Sequence, residues 1–298
     1  MEPVLPGVRW SVLLTGVRTG IPDLVATAVL VASGAAYLAG GRRLAGRGRR
    51  WPARHTAAFL AGLASIWVAV GSGLAVYDDS SVTLHVVQHV LLMMVAPPLL
   101  ALGRPLPLAA QAAGRTAQVR ITRLLGHRAV TVATHPLVGA VVYFGTMWSM
   151  LVDRPVYGYL VAHQPVHDAS HVLLVVAGLV YWAPLVAPDA SRHRLSHTAR
   201  MLLLLTSMPL EALPGAWMRY QSTPIDVINT LSDTHTAGEL LLVAATGACS
   251  VWLCAVALQW FAYAMREESR EAAKAPTAEW TVPWWVDSPP AGGRAPTG

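Results

Sequence analysis

Long apolar stretches, separated by short polar or charged connections, make up most of this chain. Seven of them approach the roughly 20 residues that an α-helix needs to cross the hydrocarbon of a bilayer. They lie at about 22–40, 56–76, 83–103, 132–152, 165–187, 197–219 and 236–262. The pattern predicts an all-α, polytopic membrane protein with seven transmembrane helices.

The composition indicates the same class of protein. Of the 298 residues, 54% are hydrophobic and only 13% are charged, whereas a soluble domain carries roughly 25% charged residues. The first 20 residues lack a sustained apolar core, so we expect no cleaved signal peptide. We therefore divide the chain into an N-terminal segment (1–21), a transmembrane domain (22–262) and a Pro/Gly-rich tail (263–298) that we expect to be disordered.

The positions of the 22 Lys and Arg residues predict the orientation. Eighteen of them fall in segments 41–55, 104–131 and 192–200 or after residue 265, and the other four lie in the alternate connections. Because Lys and Arg accumulate on the cytoplasmic side, the N-terminus is expected outside and the C-terminus in the cytoplasm. The net charge of +6 thus reflects topology, and we expect a lipid bilayer rather than nucleic acid as its partner.

Three spans carry a pair of potential metal ligands four residues apart, near the predicted outer end. The pairs are His85 and His89 in the third span, His167 and His171 in the fifth, and His235 and Glu239 in the seventh. Residues at this spacing share one face of a helix. Met93 continues the row below His89, and His163 lies one turn before His167. The repetition of the pattern at one depth favours a shared site.

Imidazole and thioether groups together are typical ligands of soft or borderline metal ions. The sixth span adds Met208 and Glu211, and a carboxylate inside a membrane is a functional candidate. The sequence thus predicts a metal site built by the four paired histidines. Candidate further ligands are Met93, His163, Met208, Glu211, His235 and Glu239. The alternative interpretation is structural: histidines at a membrane edge, methionines filling helical seams and a glutamate bonded to a neighbouring helix.

Three other features refine this expectation. Cys249 and Cys254 point in different directions on the seventh span and lie about 20 Å below its outer end by the helical rise. We therefore expect no disulfide and no thiolate at the histidines. Pro97 and Pro98 should bend the third span, which requires neighbouring groups to bind the freed carbonyls. Segment 106–125 is expected to form an amphipathic helix on the membrane surface.

Several motifs resemble the CtaG family of membrane proteins. The most specific is the third span, with His85-x-x-Gln88-His89, Ala96-Pro97 and Leu102-Gly103-Arg104-Pro105. Weaker similarity covers 157–171, Trp182-x-Pro184, and Asp233 with Ala237-Gly238. In place of the glutamines usual after that aspartate, this chain has Thr234 and His235. The resemblance implies a seven-span fold in a bacterial plasma (inner) membrane, a role in the assembly of caa3-type cytochrome c oxidase, and copper supply.

These features bear on four classes of function. A copper-handling assembly factor would bind copper, with Cu(I) favoured, and pass it to a haem-copper oxidase subunit or a periplasmic copper carrier without catalysing a reaction. A haem-binding redox protein would also use histidines on facing helices. A proton-coupled transporter would rely on Glu211 and Glu239. A retinal protein is excluded, because the only lysine, Lys274, lies in the tail. We expect the first class.

Overall fold

The computed structural model describes residues 9–77, 80–187, 193, 195–225 and 230–274, and within them the chain folds as a series of helices. The helices are α1 (Trp10–Thr15), α2 (Ile21–Gly46), α3 (Ala53–Gly71), α4 (Val82–Val90), α5 (Ala96–Leu102), α6 (Pro105–Ala112), α7 (Arg115–Gly126), α8 (Arg128–Ala133), α9 (Pro136–Leu151), α10 (Arg154–Ala162), α11 (Gln164–Val186), α12 (His197–Arg219) and α13 (Leu231–Lys274). A π-helical segment, Leu91–Val95, joins α4 to α5 and is called the π-turn below. These residues contain no β-strand, only an isolated bridge between Val17 and Ser72.

Six of the predicted spans correspond to helices long and apolar enough to cross a membrane. They are α2, α3, the continuous run from α4 to α6, α11, α12 and α13. The bounds of α12 coincide with the predicted 197–219, and α11 differs from its prediction by one residue at each end. The prediction of an all-α membrane protein is therefore confirmed, while the orientation of its termini stays a prediction.

The fourth predicted span differs from the structure. Helix α9 has 16 residues, which by the helical rise is about 24 Å, and it starts at Pro136 rather than at residue 132. After it the chain bends by 77° into α10, whose N-terminus is capped by the Asp153 carboxylate accepting from Val156 N–H. The described residues therefore reach a total of seven spans only if α9 and α10 are counted together as one broken span.

The predicted surface helix at 106–125 is two helices in the structure. Helix α6 ends at Ala112 and α7 begins at Arg115, with an extended residue at Ala113 between them. Leu108 and Ala112 of α6 are buried beside α2, whereas α7 buries no residue. Only the second half of the predicted segment is therefore an exposed amphipathic helix.

Helix α11 lies at the centre of the packing and contacts α5, α9 and the π-turn. It approaches the third span closely at Gly178, where an added Cβ would lie 2.5 Å from the Pro97 ring. Only a residue without a side chain allows this contact. Helices α12 and α13 approach in the same way at Gly215 and Gly238, where a Cβ on either glycine would meet the backbone of the other at 2.6–2.7 Å.

The chain divides into two compact units, Met1–Val256 and Ala257–Gly298. The first contains α1 to α12 and the first part of α13, and all the contacts discussed below lie within it. In the second, the described residues continue α13 to Lys274, beyond the predicted end of the span at 262. Residues 263–274, the first part of the tail 263–298 predicted to be disordered, are thus helical, and 275–298 lie outside the described part of the chain.

Candidate metal centre

Three buried histidines from two helices converge in the core. His85 and His89 of α4 and His167 of α11 each offer a ligand nitrogen, and these atoms lie within 4.8 Å of one another. The exposed fractions of the three side chains are 0%, 4% and 0%. Nitrogens around a tetrahedral ion at about 2.0–2.1 Å would lie roughly 3.4 Å apart, so small rotamer changes would let the three bind one ion.

The imidazole rings pack on one another. The His85 ring lies 4.3 Å from the His89 ring and 5.1 Å from the His167 ring, and it is nearly parallel to the latter at 11°. The His171 ring lies 4.6 Å from that of His167 and is also buried. The rings of the four paired histidines of α4 and α11 therefore form one continuous cluster, which we call the histidine cluster.

Among the described residues, no group hydrogen-bonds Nε2 of His89 or Nε2 of His171, although both atoms are buried. A buried polar atom without a partner costs about 1–3 kcal/mol. Native proteins accept that cost mainly at functional sites or where a ligand supplies the missing partner. Both atoms are therefore available to coordinate an ion.

Helix α4 is anchored by Asp233 at the start of α13. The Asp233 carboxylate accepts hydrogen bonds from the backbone N–H of Val82 at 2.7 Å and from the Thr83 hydroxyl at 2.6 Å. The Ser81 hydroxyl also donates to it, at 3.2 Å. These bonds occupy donors that a helix N-terminus leaves without intrahelical partners. Because His85 lies in the next turn, they fix the position of the first cluster residue.

The carbonyl that Pro97 and Pro98 leave without a backbone donor has a defined partner, as the sequence predicted. The carbonyl of Met93 would normally accept from the residue four or five positions later, and both of those residues are prolines without an N–H. The Trp182 indole of α11 donates to this carbonyl instead, at 3.1 Å. Trp182 is fully buried, so the bond also fixes the distance between the two helices that carry the histidines.

His171 additionally lines a cavity of about 410 Å³ between α2, α3 and α11. The cavity walls are mainly apolar side chains, but three charged residues also line it: Arg18, Asp23 and Asp168. Arg18 and Asp23 form an ion pair at 3.3 Å. The cavity therefore has an acidic and basic rim next to one histidine of the cluster.

The remaining predicted ligands have other partners. The ring Nδ1 of His163, which is exposed, lies 2.9 Å from the carbonyl of Tyr159, and Nε2 of His235 lies 2.9 Å from that of Gln221. Glu239 forms an ion pair with Arg219 at 2.6 Å. Met208 is half-buried against the hydrophobic core. Among the described residues, one group of three or more His, Cys, Asp or Glu side chains could hold a metal ion, namely His85, His89 and His167. His163, His235 and Glu239 are not part of it.

Glu211 belongs to a second polar cluster, deeper along the helices. It is fully buried, and its two carboxylate oxygens accept from the Tyr143 hydroxyl at 3.0 Å and from the Cys249 thiol at 2.9 Å. The Ser207 hydroxyl lies 3.6 Å from the same sulfur. The sequence points to Glu211, but it does not indicate Tyr143 or Cys249 as its partners, because the three residues come from three separate helices.

The roles of Asp233 and Trp182 are also not evident from residue chemistry alone. The run Ser81-Val82-Thr83 before an apolar helix is a recognisable N-cap signal, but it does not specify an aspartate 150 residues away. Trp182 and Pro97 are likewise linked only through the packing of α11 against the bend. In the sequence, both residues stand out only through the family resemblance.

Fold and site together define a polytopic α-helical membrane protein with a buried histidine cluster between two of its spans. The chain belongs to the Caa3_CtaG family, described as the cytochrome c oxidase caa3 assembly factor, whose model matches residues 35–262. The family resemblance seen in the sequence is thereby confirmed.

Curated relatives are mycobacterial. Uncharacterized proteins of Mycobacterium bovis and Mycobacterium tuberculosis are each 28% identical over 265 residues, covering 83% of this chain and 40% of their own. An uncharacterized protein of Mycobacterium leprae is 23% identical over 256 residues, covering 80% of this chain and 39% of its own. The chain thus spans about two fifths of the length of these relatives. No solved structure is significantly similar to it.

Proposed function

We propose that this protein binds copper at the histidine cluster and supports the metallation of a haem-copper cytochrome c oxidase. The observation that carries the proposal is the convergence of His85, His89 and His167, all buried, with ligand atoms within 4.8 Å of one another. Family membership supplies the oxidase connection. Copper is the cargo here, bound and passed on, and the protein performs no catalytic step.

The ligand chemistry supports copper over harder ions. Magnesium and calcium prefer carboxylate, carbonyl and water oxygens, whereas imidazole nitrogens suit copper and zinc. Neutral imidazoles also add no charge of their own to a site inside the bilayer. The positive-inside distribution of Lys and Arg supports a position of the cluster near the outer face. From there an ion would pass to a periplasmic copper carrier or an oxidase subunit, in a bacterial plasma (inner) membrane.

The haem alternative is less compatible with the packing of the rings. A haem bound between two histidines must fit its macrocycle between their rings. The His85 ring, however, contacts both the His89 and the His167 rings at centroid distances of 4.3 and 5.1 Å. A proton-coupled transporter would need Glu211 and Glu239 for its ions. Instead, Glu211 accepts two hydrogen bonds and Glu239 pairs with Arg219.

The test is metal analysis of the purified protein. We expect copper near one ion per chain and no Soret absorbance. His89→Ala and His171→Ala should each weaken binding by roughly 10-fold or more, because even residues that only orient a ligand typically cost about 10–100-fold. His163→Ala is the matched control, since that ring is exposed and bonded to Tyr159, and it should leave affinity unchanged.

Two results would contradict the proposal. A Soret band that disappears in the His89 and His171 variants would establish haem binding. In cells, we expect the variants to insert normally while the oxidase assembles with too little copper. Full oxidase activity in a His89/His171 double variant at limiting copper would therefore show that oxidase assembly does not depend on the histidine cluster.

A further inference from the structure

A small void beside the histidine cluster is lined by three methionines, by His89 and by the aliphatic residues Val90, Leu151 and Leu241. Its volume is about 10 Å³, and its walls include His89, Met93 and Met94 from the third span and Met147 from α9. All three methionines are 2% exposed. Three methionine side chains therefore line one space beside one histidine of the cluster, although only Met93 is indicated by the four-residue spacing.

The π-turn explains why two consecutive methionines reach the same void. In an α-helix the residue below His89 is Met93, and Met94 would point about 100° away. In a π-turn each carbonyl accepts a hydrogen bond from the N–H five residues later instead of four. Met94, which is five residues after His89, therefore also comes to lie beneath His89. In the structure the N–H of Ala96 bonds the carbonyl of Leu91, which is this five-residue spacing. Single π-turns of this kind are frequent at functional sites.

Water and simple packing account poorly for this void. A buried water needs two to four polar partners, and of the side chains that line the void only the His89 imidazole is a strong one. Methionine often fills irregular gaps in a core, but here three flexible methionines leave a gap beside a buried imidazole. The Nε2 atom of that imidazole also has no hydrogen-bond partner among the described residues.

We infer that this void is a second copper position that accepts Cu(I), with thioether sulfurs of Met93, Met94 and Met147 and the His89 imidazole as its ligands. The inference rests on the proposed copper function and adds oxidation-state selectivity to it. Thioethers select soft ions such as Cu(I) over harder ones. Because both positions share His89, they are alternative locations of one ion, and the stoichiometry stays near one.

The position also fits the membrane setting. Thioethers are neutral at every pH and need not lose a proton to bind, unlike thiols. A monovalent ion held by neutral groups brings the smallest possible charge into the bilayer. Sharing His89 means that an ion can change its other ligands while keeping one bond, so it need not be released between the two positions.

The test compares Cu(I) with Zn(II) in the full-length protein. Affinity for Cu(I) is measured by competition with a chelator of known affinity, and affinity for Zn(II) is measured in parallel. We expect Met147→Leu and a Met93→Leu/Met94→Leu double variant each to lower Cu(I) affinity roughly 10-fold while Zn(II) affinity is unchanged. Leucine conserves the side-chain volume, so the fold should be retained.

Met150→Leu is the matched control, because Met150 is buried on the same helix but does not line the void. X-ray absorption of the Cu(I)-loaded wild type should show sulfur as well as nitrogen neighbours. Unchanged Cu(I) affinity in the variants, or nitrogen neighbours alone, would overturn the inference while leaving the histidine site intact. Equal losses for Cu(I) and Zn(II) would assign the methionines to packing and also overturn it. If the wild type bound neither ion, the proposed function itself would fail.

Discussion

Replacing Trp182 with phenylalanine tests how the two histidine-bearing helices are held together. The substitution keeps an aromatic ring but removes the indole N–H that binds the carbonyl of Met93 at 3.1 Å. Because Pro97 and Pro98 follow at the two positions that could otherwise donate, this buried carbonyl would be left without a partner. We expect Trp182→Phe to lower the free energy of unfolding by about 1–3 kcal/mol from the hydrogen bond alone.

The chain contains a second bond of the same kind, which serves as the matched control. The Trp148 indole donates to the carbonyl of Leu210 at 3.1 Å, and Pro214 stands four residues after Leu210. Trp148 is more exposed than Trp182 and lies in the last turn of α9, and its bond to Leu210 is itself exposed, so losing this donor should carry a smaller penalty. Trp148→Phe should therefore cost about 1 kcal/mol or less.

The assay is unfolding in mixed detergent micelles, followed by circular dichroism so that the lost tryptophan does not change the readout. Adding Pro97→Ala to the Trp182→Phe variant returns a backbone N–H four residues after Met93. The double variant should recover part of the lost free energy of unfolding, with a coupling free energy between the two substitutions of roughly 0.5–3 kcal/mol. Equal losses in the two tryptophan variants, together with no coupling to Pro97→Ala, would refute the reasoning and assign the effect to ring volume.

The other predictions concern the cap, the pH dependence, the topology and the thiols. Asp233→Ala should lower the free energy of unfolding by about 1–2 kcal/mol in the same assay, through loss of the α4 cap, and should weaken metal retention. An unchanged free energy of unfolding would show that this carboxylate does not stabilise α4. Copper affinity, measured by equilibrium dialysis, should fall in acid, because imidazoles must be deprotonated to bind a metal; a flat profile would argue against imidazole ligands. A reporter active only in the cytoplasm should be active after Met265 and silent in the loop at 78–79, which lies outside the described residues. The reverse pattern would place the histidine cluster on the cytoplasmic side. Replacing both Cys249 and Cys254 with alanine should leave copper binding unchanged. A loss of copper affinity in this variant would show that a thiol contributes to the site.

The sequence predicts well those parts of the structure that depend on local periodicity. Length and apolarity alone place α11 and α12 within one residue of their ends. The spacing of four residues likewise puts His85 beside His89 and His167 beside His171, because the helical repeat fixes these neighbours whatever surrounds them. Positions within one helix are thus readable before any tertiary contact is known.

The parts that the sequence misses depend on contacts between distant segments. His235 and Glu239 have the same spacing as the histidine pairs, yet their partners are Gln221 and Arg219. The spacing reports only that two side chains share a face, and the packing of helices decides what that face meets. The break between α9 and α10 was missed for a related reason, since apolar composition continues through a bend of 77°.

The arrangement of donors along the third span favours binding and release at one face over passage through the membrane. The imidazoles of His85 and His89 come first, Met93 and Met94 follow one turn later, and the buried carboxylate of Glu211 lies on α12. An ion moving further would need oxygen ligands from that carboxylate, but both of its oxygens already accept hydrogen bonds, from Tyr143 and Cys249. An ion at Glu211 would compete with the Tyr143 and Cys249 donors, and each hydrogen bond that it displaced would cost about 1–3 kcal/mol. The same bonds that keep Glu211 stable in the core therefore make it a poor next position for the ion. This favours a protein that holds copper near the face from which it arrived.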